Sequence, residues 1–337
     1  MLTDMNNAGE GLTIEVLRKE LSPYARPDIR VAIVQLINTF VPYIILWAIL
    51  IYMIKQNYPV IAIIPLIVIT SLILVRIFIF LHDCAHNAFF ASLRANTILG
   101  YISGVLTFTP FNEWRYNHLA HHGTYADLDH RGLGDIWTLT VDEYRAASRM
   151  KRLGYRLYRN PLVFLAIGPG YFFLIAQRFM HLWKGQKERY SIWITNLSIL
   201  AIIWIFSLTA GLKTYLLIQI PVMLIAGGVG VWLFYVQHQF EGVYWSRHKD
   251  WDPVKAALKG SSYYKLPRVL QWFSGNIGLH HIHHVLPRIP NYKLQQCYDE
   301  FPPMRHVPPL TLRGSIKSLW LNLWDEKKQR LVSFNAL

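Results

Sequence analysis

Four long apolar stretches dominate the pattern of hydrophobic and polar positions along the chain. Residues 31–54 contain no charged residue, and residues 59–81 contain only Arg76, close enough to one end for its side chain to snorkel. A second pair runs over 191–212 and 215–236. Each stretch approaches or exceeds the ~20 residues that a helix needs to cross the hydrocarbon core. The pattern therefore predicts an all-α integral membrane protein with four transmembrane helices in two hairpins.

Two other apolar stretches complicate this count. Residues 97–110 are too short to span a bilayer, and residues 161–180 are interrupted by Gly168-Pro169-Gly170. If 161–180 crossed the membrane, the histidine clusters described below would lie on opposite sides. We therefore predict an interfacial or re-entrant segment there. No internal repeat is visible, and we expect residues 1–337 to form a single domain.

The parts of the chain between and after the hairpins, 82–190 and 237–337, are predicted to form a helical cap at one face of the membrane. Within the cap, residues 315–334 alternate large apolar residues with charges. They predict an amphipathic helix, either on the membrane surface or packed on the protein body.

The charge distribution predicts which face carries the cap. The hairpin turns contain only Lys55 and Lys213, the latter in the predicted turn Gly211-Leu212-Lys213, and nearly all other Lys and Arg residues lie outside the spans. The positive-inside rule then places both termini and the cap in the cytoplasm. The start of the chain lacks a signal-peptide pattern. Cys84 and Cys297 would face a reducing compartment, so no disulfide is expected.

Composition narrows the class of protein. The chain is 53% hydrophobic and 16% charged, which is too apolar for an ordinary soluble domain. Its formal net charge of +14 has two compatible explanations: attraction to anionic lipid together with the positive-inside bias, or a docking face for an acidic protein. Nucleic-acid binding is disfavoured because the basic residues form no recognisable binding module.

The histidines carry the chemistry. Fourteen are present, and most fall into the groups "HDCAH", "HLAHH", "QHQFE" and "HHIHH". Spacings of three and four residues bring side chains to one face of a helix, where each group can offer two or three imidazoles to one centre. A single metal ion uses about four ligands. The nine candidate ligands therefore predict two metal ions, and they are His82, His86, His118, His121, His122, His238, His280, His283 and His284.

Imidazole alone does not choose among iron, zinc, copper and nickel. Residues that could orient the ligands are Asp83, Glu241 and His281, with Asp127, Asp129 and Asp135 as further carboxylates for which surface ion pairing is the alternative. The isolated histidines are interpreted as capping or surface residues, and they are His130, His181, His248 and His306.

The histidine groups and their flanks resemble those of membrane-bound fatty acid desaturases. The matching segments are "HDCAH", "WRYNHLAHH", "QHQFE" and "HHIHHVLPRIPNY", and the flanks are similar to the acyl-lipid delta-12 or omega-6 branch. The resemblance implies four spans, a cytoplasmic cap, and a di-iron centre held by the nine histidines. It also implies that O2 and two electrons from a ferredoxin or cytochrome b5 type donor remove two hydrogens from an acyl chain.

The chain differs from the acyl-CoA branch of that family in two respects. Three residues, not four, separate His82 and His86, and Phe234 stands where that branch has an asparagine before its single histidine. A lipid-linked substrate is therefore expected rather than acyl-CoA. No cytochrome b5 domain is fused to the chain, so we expect electrons to come from a separate protein.

Two other functions stay open at this point. A hydroxylase or ketolase acting on an acyl chain or a carotenoid would begin with the same hydrogen abstraction on the same scaffold. A histidine-lined metal transporter belongs to a different class, but it would need ionisable groups along a path through the bilayer, and the four apolar stretches carry no histidine in their middles.

Overall fold

The computed structural model describes residues 13–132, 134–179 and 185–336. Within these ranges, four helices are long and apolar enough to cross a membrane: α2 Ile29–Lys55, α3 Val60–Ala85, α9 Gln186–Thr209 and α10 Leu212–His238. This confirms the four predicted membrane helices and their pairing into hairpins. His181 lies outside the described residues.

The turn of the second hairpin lies earlier than predicted. Helix α9 ends at Thr209, and α10 begins at Leu212. Gly211 precedes α10 with a φ of 93°, a left-handed conformation that costs glycine little. The turn is therefore Ala210-Gly211, and Leu212 and Lys213 are already helical.

Shorter elements surround the four long helices. The remaining α-helices in the described part of the chain are α1 Ile14–Leu21, α4 Leu93–Leu106, α5 Phe111–Thr124, α6 Val141–Ala146, α7 Arg149–Tyr158, α8 Gly168–Leu174, α11 Pro253–Lys259, α12 Arg268–Phe273, α13 His280–Val285, α14 Asn291–Glu300 and α15 Leu312–Ile316. The strands are β1 Leu139–Thr140, β2 Tyr263–Lys265, β3 Pro309–Thr311, β4 Leu323–Asp325 and β5 Arg330–Val332.

Helix α3 is the centre of the packing and contacts α2, α4 and α10. Two glycines of its neighbour α4 let α4 pack closely against the start of α5. A Cβ at Gly100 of α4 would lie 2.4 Å from the Phe111 ring, and one at Gly104 would lie 2.5 Å from the Thr109 carbonyl oxygen. These contacts fix α4 against the start of α5, which carries the second histidine group.

The prediction that Arg76 snorkels is wrong. Its side chain is buried and turns into the protein, where Nε donates to Thr39 Oγ1 at 3.0 Å and Nη1 donates to the Trp272 carbonyl. The guanidinium also lies 4.2 Å from the centre of the Trp272 ring. Arg76 therefore ties α2, α3 and α12 together near the end of α3 that carries His82.

The segment predicted to be interfacial or re-entrant is helical but broken. The helical run Val163–Arg178 bends by 65° relative to the preceding helix α7. It includes a π-helical turn at Val163–Ile167 and packs against α10. This shape is that of a broken span or a re-entrant loop, so the membrane position of the segment stays a prediction.

The prediction of an amphipathic helix over 315–334 is wrong. Only its first residues are helical, and β4 and β5 then pair antiparallel, with Trp324 opposite Leu331. Alternation of apolar and charged residues has the period of a strand as well as fitting loosely to a helix. Both members of the Trp324–Leu331 pair are buried in a cluster with Leu128, Val243 and Trp245.

Candidate metal centre

The four histidine groups lie on four different helices. His82 and His86 are at the carboxyl end of α3, and His238 is the last residue of α10. The second group, "HLAHH", lies on α5, and "HHIHH", called the third group from here on, lies on α13. Because α3 and α10 pack side by side and end at the same face, the helices bring all nine predicted ligands together.

One subset of five histidines surrounds a common centre. One imidazole nitrogen from each lies within 4.8 Å of the others, and the members are His82, His86, His118, His122 and His283. The Nε2 atoms form a string: His86 to His118 is 2.8 Å, His118 to His122 is 3.2 Å, and His122 to His283 is 3.0 Å.

The second subset has the same arrangement. His121, His238 and His284 each place one nitrogen within 4.8 Å of the others. His280 joins them through Nε2, which lies 3.0 Å from that of His238 and 3.0 Å from that of His284. The Nε2 of His121 is 3.2 Å from that of His238, which completes a second string of four atoms.

These strings fit bound cations better than hydrogen bonds. An imidazole Nε2 carries either one hydrogen or one lone pair, so it can take part in one ordinary hydrogen bond. In each string the two inner nitrogens have two neighbours at hydrogen-bond distance. Lone pairs that point to a shared positive ion would account for both contacts. The donor set therefore fits two metal ions.

Burial prepares the imidazoles for this role. The side chains are buried except for His122, which is partly exposed. Burial, followed by the neighbouring histidines, lowers the pKa of His118, His122 and His283 well below the ordinary histidine value. These rings are neutral at physiological pH. A metal ion requires the neutral form of the ligand.

The carboxylate that supports the second subset is Asp135. Its Oδ1 lies 2.5 Å from Nδ1 of His121, and both side chains are buried. A carboxylate in this position holds the ring with its proton on Nδ1, so that Nε2 presents a lone pair to the centre. Asp135 was one of the carboxylates for which sequence alone also allowed a surface ion pair.

Asp83, which is predicted to orient a ligand, lies beside His82 of the first subset. Its Oδ1 lies 3.3 Å from His82 Nδ1, and its Oδ2 accepts from both the backbone nitrogen and Nδ2 of Asn291. Gln35 of α2 donates in turn to Asn291 Oδ1 at 3.0 Å. The network links α2, α3 and the start of α14.

Two other predicted supporting residues lie elsewhere. Glu241 is exposed and makes no hydrogen bond to the nine histidines within the described ranges. His281 is buried, but its Nε2 faces the Met304 carbonyl at 3.0 Å. Burial lowers the pKa of His281 to about 4. His281 therefore helps to pack α13 against the segment that contains Met304 and does not face the centre.

Asn291 and Gln35 were not found by sequence reasoning. Both are buried amides far from the histidine groups in the chain, separated from Asp83 by 208 and 48 positions. No local spacing connects them to Asp83. The only sequence signal is that Asn291 belongs to the matching segment "HHIHHVLPRIPNY", seven positions after His284.

Aromatic rings cover the centre. Trp114 stacks on His118 with 4.3 Å between ring centres, and Tyr125 lies 4.0 Å from His284. Phe234, one turn before His238 on α10, lies 5.3 Å from His121. These rings hold the imidazoles in place and keep bulk water away from them.

Comparison with known proteins identifies the family. A profile of the fatty acid desaturase family matches residues 56–311. A protein of Bacillus subtilis (strain 168) named fatty acid desaturase is 46% identical over 321 residues, which cover 95% of this chain and 91% of that protein.

More distant relatives carry more specific names. An endoplasmic reticulum omega-3 fatty acid desaturase of Vigna radiata is 26% identical over 66% of this chain and 60% of its own length. An sn-1 acyl-lipid omega-3 desaturase (ferredoxin) of Nostoc sp. (strain 36) is 23% identical over 74% of this chain and 69% of its own length. Taken with the histidine centre at the ends of the membrane helices, these matches show that the chain belongs to the fatty acid desaturase family and is an oxidoreductase.

Proposed function

We propose that this chain introduces a double bond into the acyl chain of a membrane lipid, using O2 and a histidine-ligated di-iron centre. The observation that carries the proposal is the pair of Nε2 strings, each with four imidazoles, at the ends of apolar helices in a chain of the desaturase family. Imidazole alone does not choose the metal, so the family match is what supports iron and O2 chemistry over hydrolysis.

The ligands in this proposal are the nine predicted histidines. One iron would be held by the subset of five, and the other by His121, His238, His280 and His284. When bound, the two irons would supply the activation of O2 that an unactivated C–H bond requires, with two electrons from a donor protein. No side-chain acid or base can remove hydrogen from such a carbon.

The residues of the chain itself bind, orient and shield. Asp135 and Asp83 keep the Nδ1 atoms of His121 and His82 directed away from the centre. Trp114 and Tyr125 limit access of water to the histidines. Such positioning selects which C–H pair is reached.

A lipid-linked substrate is supported by the site's location and by the relatives. The centre lies at the ends of α3 and α10, two helices apolar enough to lie in a bilayer, so an acyl chain can approach from within the lipid. The Nostoc relative is named for an acyl-lipid substrate.

The flanks of the histidine groups favour a delta-12 or omega-6 position, whereas several relatives are named omega-3. Product analysis distinguishes these positions.

We further propose that both termini and the metal centre lie in the cytoplasm. The charges support this orientation, because Lys55 and Lys213 are the only Lys or Arg residues beside the hairpin turns at the opposite end. Residues 1–337 then act as a single desaturase domain, with 161–180 interfacial or re-entrant.

Electrons would come from a separate ferredoxin or cytochrome b5 type protein, and the Nostoc relative is named for ferredoxin.

The test is to express the chain in a host that makes only saturated and monounsaturated acyl chains, and to supply a ferredoxin and its reductase. Lipids are extracted, and double bonds are located by gas chromatography with mass spectrometry. We expect a new double bond that is absent with His283→Ala. Hydroxylated acyl chains would show that the activity is hydroxylation and not desaturation. Unchanged acyl chains alongside modified carotenoids would overturn the acyl substrate.

A further inference from the structure

A second cluster of histidine and aspartate side chains lies outside the nine-histidine centre. Asp127 Oδ2 is 2.8 Å from Nδ1 of His130 and 2.7 Å from Nδ1 of His248. One donor atom from each of the three residues lies within 4.8 Å of the others. The group shares no side chain with the nine histidines.

The backbone holds these residues in place. Asp127 and Ser246 form a parallel bridge, in which Leu128 N donates to Ser246 O at 2.9 Å and Ser246 N donates to Ala126 O at 3.0 Å. The bridge joins the segment after α5 to the segment after α10. These are two of the helices that carry predicted iron ligands.

Asp127 is fixed beneath the two imidazoles. It is 3% exposed, and its Oδ1 accepts from Asp129 N at 2.9 Å. Burial raises the pKa of Asp127, but the hydrogen bonds from His130 and His248 outweigh burial and hold the pKa below its usual value. The carboxylate is therefore charged and directed at both Nδ1 atoms. The imidazole side chains are 51% and 64% exposed, which leaves one side open to water.

The surrounding charges favour a cation. Asp129 accepts from Arg247 Nη1 at 2.7 Å, and the same guanidinium pairs with Glu326 at 2.8 Å. The region thus holds three carboxylates, those of Asp127, Asp129 and Glu326, and one guanidinium, which pairs with Asp129 and Glu326 but leaves Asp127 to the two imidazoles. With neutral imidazoles, the group carries a net charge of about −2 by this count.

We propose that Asp127, His130 and His248 bind one divalent transition-metal ion of the zinc class. Two imidazole nitrogens and one carboxylate oxygen are the donors that such ions take, and water would complete the coordination on the exposed side. Nδ1 of each imidazole donates to Asp127 in the hydrogen bonds described above. On binding the ion, each imidazole would instead carry its proton on Nε2 and present the lone pair of Nδ1 to the ion. The ion would join the segments that follow α5 and α10 and so restrain the ends of two helices of the iron centre.

The experiment uses the full chain, purified in detergent with its iron in place, and zinc chloride as the probe. Zinc binding is measured at pH 7.5 by competition with a chromophoric chelator, and iron is counted before and after. We expect one zinc per chain in addition to the iron. His130→Ala and His248→Ala should each weaken zinc binding by more than about 100-fold, because ligand loss costs more than the 10–100-fold typical of outer partners.

The exposed His306, which belongs to neither metal group, provides the control, and His306→Ala should bind zinc as the original chain does. Both imidazoles of the site are exposed, so their alanine variants should fold, and a thermal unfolding scan without zinc checks this. Zinc should raise the melting temperature of the original chain but not that of the two variants. Unchanged zinc affinity in both variants would overturn the proposal. Zinc that binds only by displacing iron would do so as well.

Discussion

The Asp135 carboxylate lies 2.5 Å from Nδ1 of His121, with both side chains buried. This contact sets which ring nitrogen of His121 is free for a metal. His121 also has Nε2 in the string with His238. The contact between Asp135 and His121 therefore lets the loop after α5 orient one of the proposed metal ligands.

Asp135→Asn should weaken the centre while leaving the fold intact. Asparagine keeps the size of the side chain but removes the charge that holds the His121 proton on Nδ1. We expect a loss of roughly 10–100-fold in iron affinity or desaturation rate. The measurement is iron content and product formation of the purified protein. The exposed Asp142 offers a control, and Asp142→Asn should leave both unchanged. Equal behaviour of the two variants would remove Asp135 from its supporting role.

Removing a proposed ligand should have a larger effect than removing its support. His118→Ala and His283→Ala take one nitrogen each from the subset of five and should abolish activity. Membrane insertion should persist, because the apolar helices that drive it are unchanged. Membrane fractionation and lipid analysis measure the two properties. A variant of either residue that kept normal activity would remove that histidine from the ligand set, and His306→Ala should behave as the original chain.

Asn291 is expected to stabilise the site through Asp83. Asn291→Ala removes the Nδ2 hydrogen bond to Asp83 and the contact with Gln35. Because the Asp83 carboxylate is buried, losing a donor should cost about 1–3 kcal/mol of stability. The melting temperature in detergent should fall, and iron should be lost at lower chelator concentration. Gln296→Ala, on the exposed side of the same helix, should change neither quantity. If both variants unfold alike, the network contributes nothing measurable.

Gly278 tests how closely the third histidine group is held. A Cβ there would lie 2.3 Å from the Tyr264 carbonyl oxygen, and the Tyr264 backbone nitrogen donates to Gly278 O at 2.7 Å. Gly278→Ala should therefore push α13 from its place and lower activity and iron content together.

Gly154 is the matched position, since a Cβ there meets nothing within 4 Å and the residue lies inside α7. Gly154→Ala should be neutral or stabilising by about 0.5–1 kcal/mol. Activity of the two alanine variants in the same membranes, together with their melting temperatures, gives the comparison. An active Gly278→Ala protein with full iron would show that α13 tolerates the shift.

The membrane helices were predictable because a charge-free run of this length has few other solutions in a folded protein. The histidine spacings predicted which side chains could share a centre, and the helices bring them together. Where prediction was wrong, long-range contacts decided the outcome. Arg76 donates to the Trp272 carbonyl, 196 positions away in the chain. Residues 323–325 pair with residues 330–332 as strands, which pack against Leu128 and Trp245.

The supporting residues of the site illustrate the same limit. The position of Asp83 between two histidines predicts its role. Its partner Asn291 is a single amide, and no sequence spacing connects it to the histidines. The sequence pattern indicates capping or surface positions for His130 and His248, and both side chains are exposed. Their meeting on Asp127 depends on the bridge between Asp127 and Ser246, which local sequence patterns do not encode.

The proposed function depends above all on two irons held by the nine histidines. Its most direct test is the iron content of the purified full chain by elemental analysis, with zinc counted separately and protein measured by amino-acid analysis. We expect two irons per chain in active protein and clearly fewer in His283→Ala. A fully active preparation with one iron or none, or an unchanged iron count in His283→Ala, would contradict it.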